Sequence, residues 1–278
     1  DCNGIVDGPF KTGDKYTAIE HCGACGISCL AFVRPNAAPV CDATQAVPTC
    51  TYECSGTAVD VNGESDDGCE CVPTPGDDLA GDDVDSNCDG VDGDVSKAIF
   101  VSKDGDNGNP GTRDLPVVTI AVGLQKAESG GKRDVYVATG VYSENVVLSE
   151  GVGLFGGYSP DFAEHDVLLF ETAIIGGVPD SSHPGTVTAI GLGAQGAAKE
   201  TVIDGFTIFG VNAGNITGGN SYAVYVRNSG DRLRISKNRI FGGPGGPGAG
   251  GARGVDGANG IDGSPGGDAK NLSSDCVT

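Results

Sequence analysis

From residue 98 onward the chain alternates short apolar runs with polar punctuation: AIFVS, DVYVATG, ENVVLSE, VGLFGGY, TAIIGG, TVTAIG, TVIDGFTIFG, YAVYVRN and LRISKNRIFGG. Each run has about the length of one strand and is bounded by Gly, Asn or Asp. Only residues 117–128 (VVTIAVGLQKAE) have helical spacing, so regularly alternating βαβ units are a poor fit. Strands this short, returning in similar company, predict the stacked coils of a solenoid. The predicted fold class is all-β, a right-handed parallel β-helix preceded by a small disulfide-rich, loop-dominated region.

Within the runs the period is two. In 232–240 (RLRISKNRI), Leu233 and Ile235 fall on one face and Arg232, Arg234 and Ser236 on the other, which assigns the first pair to the core. In 201–209 the same reasoning points Val202, Phe206 and Ile208 inward, with Asp204 and Gly205 turning the chain between adjoining sides of a coil.

Ahead of residue 98 periodicity disappears. Up to residue 71, Cys, Gly, Pro and Asn recur every few positions, as in a disulfide knot. Residues 72–94 (VPTPGDDLAGDDVDSNCDGVDGD) then hold eight aspartates and no Lys or Arg, too little apolar surface to fold unaided. Metal or a neighbouring domain must order them. After the last run, residues 242–268 carry Gly at every third position with three prolines in nine triplets, the collagen period with sparse proline. An extended glycine-rich excursion, packed on itself or on the solenoid, is the expectation. The boundaries read as 1–71 (cysteine-rich), 72–96 (acidic, calcium-binding linker), 97–241 (β-helix) and 242–278 (glycine-rich excursion and C-terminal piece).

Ten of the eleven cysteines precede residue 89, leaving only Cys276 beyond it. So dense a cluster marks an oxidising compartment, and Cys22, Cys25, Cys29, Cys41, Cys50, Cys54, Cys69 and Cys71 are disulfide candidates with open connectivity. The alternative is a zinc site of His21, Cys22, Cys25 and Cys29 completed by Cys69, Glu70 and Cys71. Beginning at Asp1, without Met or an apolar leader, the chain reads as processed or as a piece of something longer, and no run is long enough to cross a bilayer. An extracellular or outer-surface location follows. The net charge of −21 argues against nucleic-acid partners and for cations.

The sharpest local signal is 85–94 (DSNCDGVDGD). Asp85, Asn87 and Asp89 alternate, Gly90 permits a tight turn, and Asp92 and Asp94 follow, as in the opening of a calcium loop. With Asp83 just ahead, the candidate metal ligands are Asp83, Asp85, Asn87, Asp89, Asp92 and Asp94, and the expected ion is Ca²⁺. The closing Glu of an EF-hand is missing, Ser96 standing in its place. Residues 60–70 (DVNGESDDGCE) and 1–7 (DCNGIVD) are weaker oxygen-rich loops. For catalysis the inventory is poor: His21, His165 and His183 lie in unrelated contexts, and no nucleophile elbow, paired-carboxylate motif or phosphate loop occurs. Arg227, Arg232, Arg234, Lys237 and Arg239 form a local basic stretch suited to acidic sugars or simply to a solvated strand face.

The segments DDVDSNCDGVDGD, AIFVSKDGDNGNPGTRDLPVVTI and DVYVATGVYSENVVLSEGVGLFGGYSPDF together resemble surface proteins of myxobacteria and related deltaproteobacteria. In these an acidic metal-binding motif precedes a pectate-lyase-like β-helix of the DUF1565 type. HCGACGISC through DGCEC is similar to their cysteine-rich repeats, with Val61 where many have a second cysteine. DCNGIVD is similar to the back half of a metal-binding repeat found also in a copper-binding surface protein of a methanotroph. The resemblance implies a cell-surface role and no reaction. The resulting expectation is a calcium-stabilised structural or adhesive surface protein, able to assemble with its own copies into a fibre, and no catalytic residue is assigned. The rival is a polysaccharide-binding or lyase-type β-helix, betrayed by carboxylates and a basic residue on one groove face. The sequons at Asn215 and Asn271 are open glycosylation sites.

Overall fold

The computed structural model describes residues 8–267, and the chain forms one compact unit up to Pro247 and a second from Gly248. Asp1–Asp7, Cys2, Asn271 and Cys276 therefore lie outside the described residues. In the first unit β1 (Lys11–Thr12) and β2 (Lys15–Tyr16) pair antiparallel, as do β3 (Ala37–Asp42) and β4 (Thr49–Cys54). Around them four disulfides close, Cys22–Cys41, Cys29–Cys50, Cys54–Cys69 and Cys71–Cys88, and Cys25 is also disulfide-bonded. The zinc alternative thus loses its thiolates. Cys88, unassigned in sequence because it sits inside the acidic stretch, fastens that stretch to the cysteine-rich region.

The solenoid follows: β5 (Ala98–Val101), α1 (Ile120–Gly130), β6 (Asp134–Ala138), β7 (Gly140–Ser143), β8 (Val146–Val147), β9 (Gly153–Tyr158), β10 (Thr172–Ile175), β11 (Val187–Ile190), β12 (Thr201–Asp204), β13 (Phe206–Phe209), β14 (Val224–Arg227), β15 (Leu233–Ser236) and β16 (Arg239–Phe241). They stack in about four turns with three parallel faces. The first face is β5-β6-β9-β12-β15, the second β7-β10-β13-β16 and the third β8-β11-β14. Helix α1 starts at a Thr119 cap, receives the Glu144 carboxylate at its first two N–H groups and ends on left-handed Gly131. Its Ile120, Leu124 and Ala127 join the core, packed against β5 and β6.

Because neighbouring coils keep register, like residues stack into columns. On the first face Ile99, Val135, Leu154, Ile203 and Ile235 align, and on the second Tyr142, Ile174, Ile208 and Ile240. All but the residues of the last coil are buried. There Ile235 and Ile240 remain 38% and 50% exposed, since among the described residues no further coil follows them. The inward direction assigned to Leu233 and Ile235, and to Phe206 and Ile208, therefore holds, but of these only Phe206 and Ile208 are buried: Leu233 is partly buried and Ile235 exposed. The direction assigned to Val202 does not hold: Val202 is buried on the outer side of the first face, and Ile203 occupies the column. Gly205, at φ +81°, resets the alternation between β12 and β13, so one phase cannot run through both. A Cβ there would also lie 2.8 Å from Val167 and 2.9 Å from the Gly156 carbonyl.

Val202 is buried because the outer side of the first face is itself covered. Phe100, Tyr136, Phe155, Tyr158 and Phe162 form an aromatic cluster there, and Ala80 and Val91 of the acidic stretch pack onto it. Tyr158 donates its hydroxyl to the Asp92 carbonyl at 2.7 Å, the Tyr136 hydroxyl accepts the Asp94 N–H at 3.0 Å, and Arg133 donates to the Asp78 carbonyl at 2.7 Å. A neighbouring domain thus orders the aspartate-rich stretch.

The glycine-rich run begins on the solenoid. Pro244 and Pro247 carbonyls accept N–H groups of Ala213 and Gly218, and a side chain on Gly246 would collide with the Ile216 carbonyl. In the second unit residues 248–267 are exposed and without regular structure.

Candidate functional site

Two features of the first unit gather chemistry. The larger is a groove of about 880 Å³ along the outer side of the first face. Its floor is the ladder Asp134, Gly153, Val202, Arg234, one residue from each of β6, β9, β12 and β15. Gly153 keeps the floor low, for a Cβ there would meet the Phe155 ring and the Asp134 carboxylate. Lys97, Arg133, Lys199, Arg232 and Arg234 line it with Asp77, Asp134 and Glu200. Five cations against three carboxylates make this a local positive field, in a chain with 17 basic and 38 acidic residues.

Those cations differ in availability. Arg133 holds Asp134 at 2.5 Å, and Lys97 holds Asp77 at 3.0 Å and Asp94 at 3.1 Å. Burial raises Asp134 above the usual carboxylate range, against the pull of Arg133. Arg232 and Arg234 sit 3.9 Å from Glu200, too far for a tight pair, and the buried Nε of Arg232 has no partner. Lys199, Arg232 and Arg234 are thus the side chains best placed to receive an anionic ligand.

The basic stretch read from sequence is not one face. Arg227 ends β14 on the third face and Arg239 pairs with Glu171 at 2.5 Å on the second. Lys237 donates to the Gly81 carbonyl from the corner between β15 and β16. Only Arg232 and Arg234 reach the groove, joined there by Lys97, Arg133 and Lys199. Each comes from a different part of the chain, and no spacing rule connects them.

The second feature is the acidic stretch, whose six predicted ligands divide. Asp85 accepts the Asp89 and Gly90 N–H groups, Asn87 Oδ1 accepts the Asp89 N–H at 2.8 Å, and Asp89 accepts that of Val95 at 2.9 Å. Asp94 instead caps the turn at Val95–Lys97. Behind this loop lies Asp78, only 2% exposed, whose Oδ2 accepts the Asn87 N–H while Oδ1 is buried without a partner. Burial pushes Asp78 up to about 6; the Asn87 and Ser86 N–H groups offset this in part, and the charges of Asp85 and Asp89 add to it. The Asp78 oxygen is thus an unsatisfied buried acceptor close to Asn87 and to the charges of Asp85 and Asp89.

Asp83 and Asp92 face elsewhere. Asp92 accepts the N–H groups of Gly81 and Asp83, and both carboxylates meet His165 Nδ1, Asp83 at 2.7 Å and Asp92 at 2.9 Å. The His165 side chain is 1% exposed, and its Nε2 lies 3.0 Å from the Gly156 carbonyl. Burial disfavours the charged ring, but Asp92 and Asp83 outweigh it and raise the ring's titration above its ordinary value. His165 carried no spacing signal in sequence, since it arrives from the loop after β9.

No family model matches the chain, and no curated protein or solved structure matches it either. Fold and sites therefore define the class on their own: a disulfide-stapled parallel β-solenoid with a cationic groove, in whose described residues no helix is long and apolar enough to cross a membrane.

Proposed function

We propose that the protein is an extracellular, adhesive surface module whose solenoid holds an acidic polysaccharide in the groove of its first face. The observation that carries this reading is the convergence of Lys199, Arg232 and Arg234 in an elongated groove of an otherwise strongly acidic molecule. Arg presents a planar fork matched to carboxylate or sulfate, and the groove runs across successive coils as an extended chain would need. Disulfides suit an oxidising, extracellular setting. Isothermal titration with polygalacturonate and with neutral dextran tests the proposal. Binding of the anionic polymer alone, weakened by salt and by at least about tenfold in Arg232→Ala/Arg234→Ala, is the expected result. Equal affinity for dextran, or an unaffected double variant, would overturn it.

Calcium belongs to the same reading as a stabiliser of the segment beside the groove. Asp85, Asn87 and Asp89, with the orphaned oxygen of Asp78, would hold it, neutralising carboxylates that otherwise repel. Added Ca²⁺ should raise the melting temperature reversibly by chelator, and Asp78→Asn should abolish the rise, because a ligand of the native state stabilises it by mass action. Assembly into a fibre is supported by the exposed column ends Ile235 and Ile240. Electron microscopy of the purified protein checks it, discrete monomers counting against.

A further inference from the structure

The geometry points to a second metal site, of the divalent transition-metal class (Zn²⁺, Mn²⁺ or Co²⁺), held by His165 Nδ1 with one carboxylate oxygen each from Asp83 and Asp92, and separate from the groove. The three ligand atoms lie within 4.8 Å of one another. A backbone carbonyl only accepts, so the Gly156 oxygen 3.0 Å from Nε2 fixes the proton there. With the ring neutral, its Nδ1 lone pair would face two carboxylate oxygens, 2.7 and 2.9 Å away, and lone pair facing lone pair is repulsive. Something positive must stand between them.

A proton on Nδ1 could do so, but the surroundings call for more charge. The three ligands open on a cavity of about 380 Å³ also lined by Asp85, Glu164 and Asp166, with no Lys or Arg on its wall. Five carboxylates and one buried imidazole make a better environment for a dication than for a single proton. Donor chemistry narrows the ion. Calcium and magnesium take oxygen ligands, and soft Cu(I) seeks sulfur, whereas one imidazole with two carboxylates suits zinc and its neighbours. Metal-bound His usually donates its second nitrogen to a carbonyl or carboxylate, as Nε2 does here to Gly156. Tetrahedral zinc at about 2.1 Å from each ligand would separate the atoms to roughly 3.4 Å. That spreading asks about 0.7 Å of Asp83, whose side chain is 60% exposed, and about 0.5 Å of the buried Asp92. The fourth position would face the cavity. Bound there, the ion clasps the acidic stretch, through Asp83 and Asp92, to the loop after β9.

The test uses the full chain, stripped with chelator, with any free thiol alkylated and millimolar Ca²⁺ present throughout to saturate the hard-cation loop. Titration with Zn²⁺ should give one ion per chain and a rise in melting temperature, and Co²⁺ should bring the visible absorption bands of a tetrahedral centre. Asp83→Asn changes an exposed side chain and should fold normally by circular dichroism while weakening Zn²⁺ by at least about tenfold. His165→Gln should remove binding and the cobalt bands together. Absence of zinc heat and of any thermal shift would leave a metal-free ion triad and overturn the proposal. So would zinc binding that is unchanged in both variants, which would place the ion elsewhere.

Discussion

The cysteine-rich region and the solenoid hold themselves in opposite ways. Between residues 8 and 71, apart from Pro48, the buried apolar side chains are those of three half-cystines, Cys22, Cys29 and Cys69, while Ile27, Leu30, Val33 and Val47 are more than half exposed. Covalent cross-links replace a core there. In the solenoid no disulfide occurs among the described residues beyond Cys88, and every coil from β6 to β13 sends inward residues into one continuous apolar cluster. A small region closes its unfolded chain in advance, whereas a stacked repeat gains stability from each neighbour. The two regions should therefore answer to different reagents.

Reduction gives the largest expected effect. Each of the four bridges spans 15 to 21 residues and is worth about 3 kcal/mol by restriction of the unfolded chain. Losing all of them exceeds what a region without a core can replace. Limited proteolysis in reductant should remove residues before the acidic stretch and leave the solenoid resistant; simultaneous digestion of both would break the comparison. Next in size is Phe206→Ala, in which a side chain only 1% exposed leaves the apolar core of the solenoid. Its cost should be roughly 3 to 5 kcal/mol in denaturant melts under non-reducing conditions.

The register of β12 shows a second way in which the solenoid differs, being packed on both sides of its first face. Strand positions, the single helix and the disulfide-rich start were legible in sequence because period and punctuation are local properties. Which of Val202 and Ile203 points inward was not, because both are apolar and the reset at Gly205 hides the phase. The reason Val202 is apolar lies more than a hundred residues away, in Ala80 and Val91 covering the outer face. For the same reason alternation at 85–94 marked candidate ligands but could not show that Asp83 and Asp92 face His165 while Asp85, Asn87 and Asp89 lie beside Asp78. Ile203→Ala, emptying the column, should cost about 2 to 5 kcal/mol, and Val202→Ala, at the edge of the groove, distinctly less. Equal losses would mean that the outer aromatic layer is as much a core as the column.

The smallest expected change in stability is at Arg234, and it separates the groove from the architecture that builds it. Arg234 lies opposite Val202 in the parallel register, its side chain is 52% exposed, and its nearest carboxylate, Glu200, is 3.9 Å away. An exposed pair at that distance contributes little, because water and salt screen it and two long side chains must be ordered to make it. Arg234→Ala should then shift unfolding by no more than about 0.5 kcal/mol, as surface substitutions do. Its effect on the anionic polymer should be of another order: the guanidinium is one of three cations in the groove free to receive an acid group, so affinity should fall severalfold and depend less steeply on salt. Parallel denaturant melts and titrations read the two quantities on one preparation. A variant that lost stability and kept its affinity would make Arg234 a structural residue and leave the groove without its central contact.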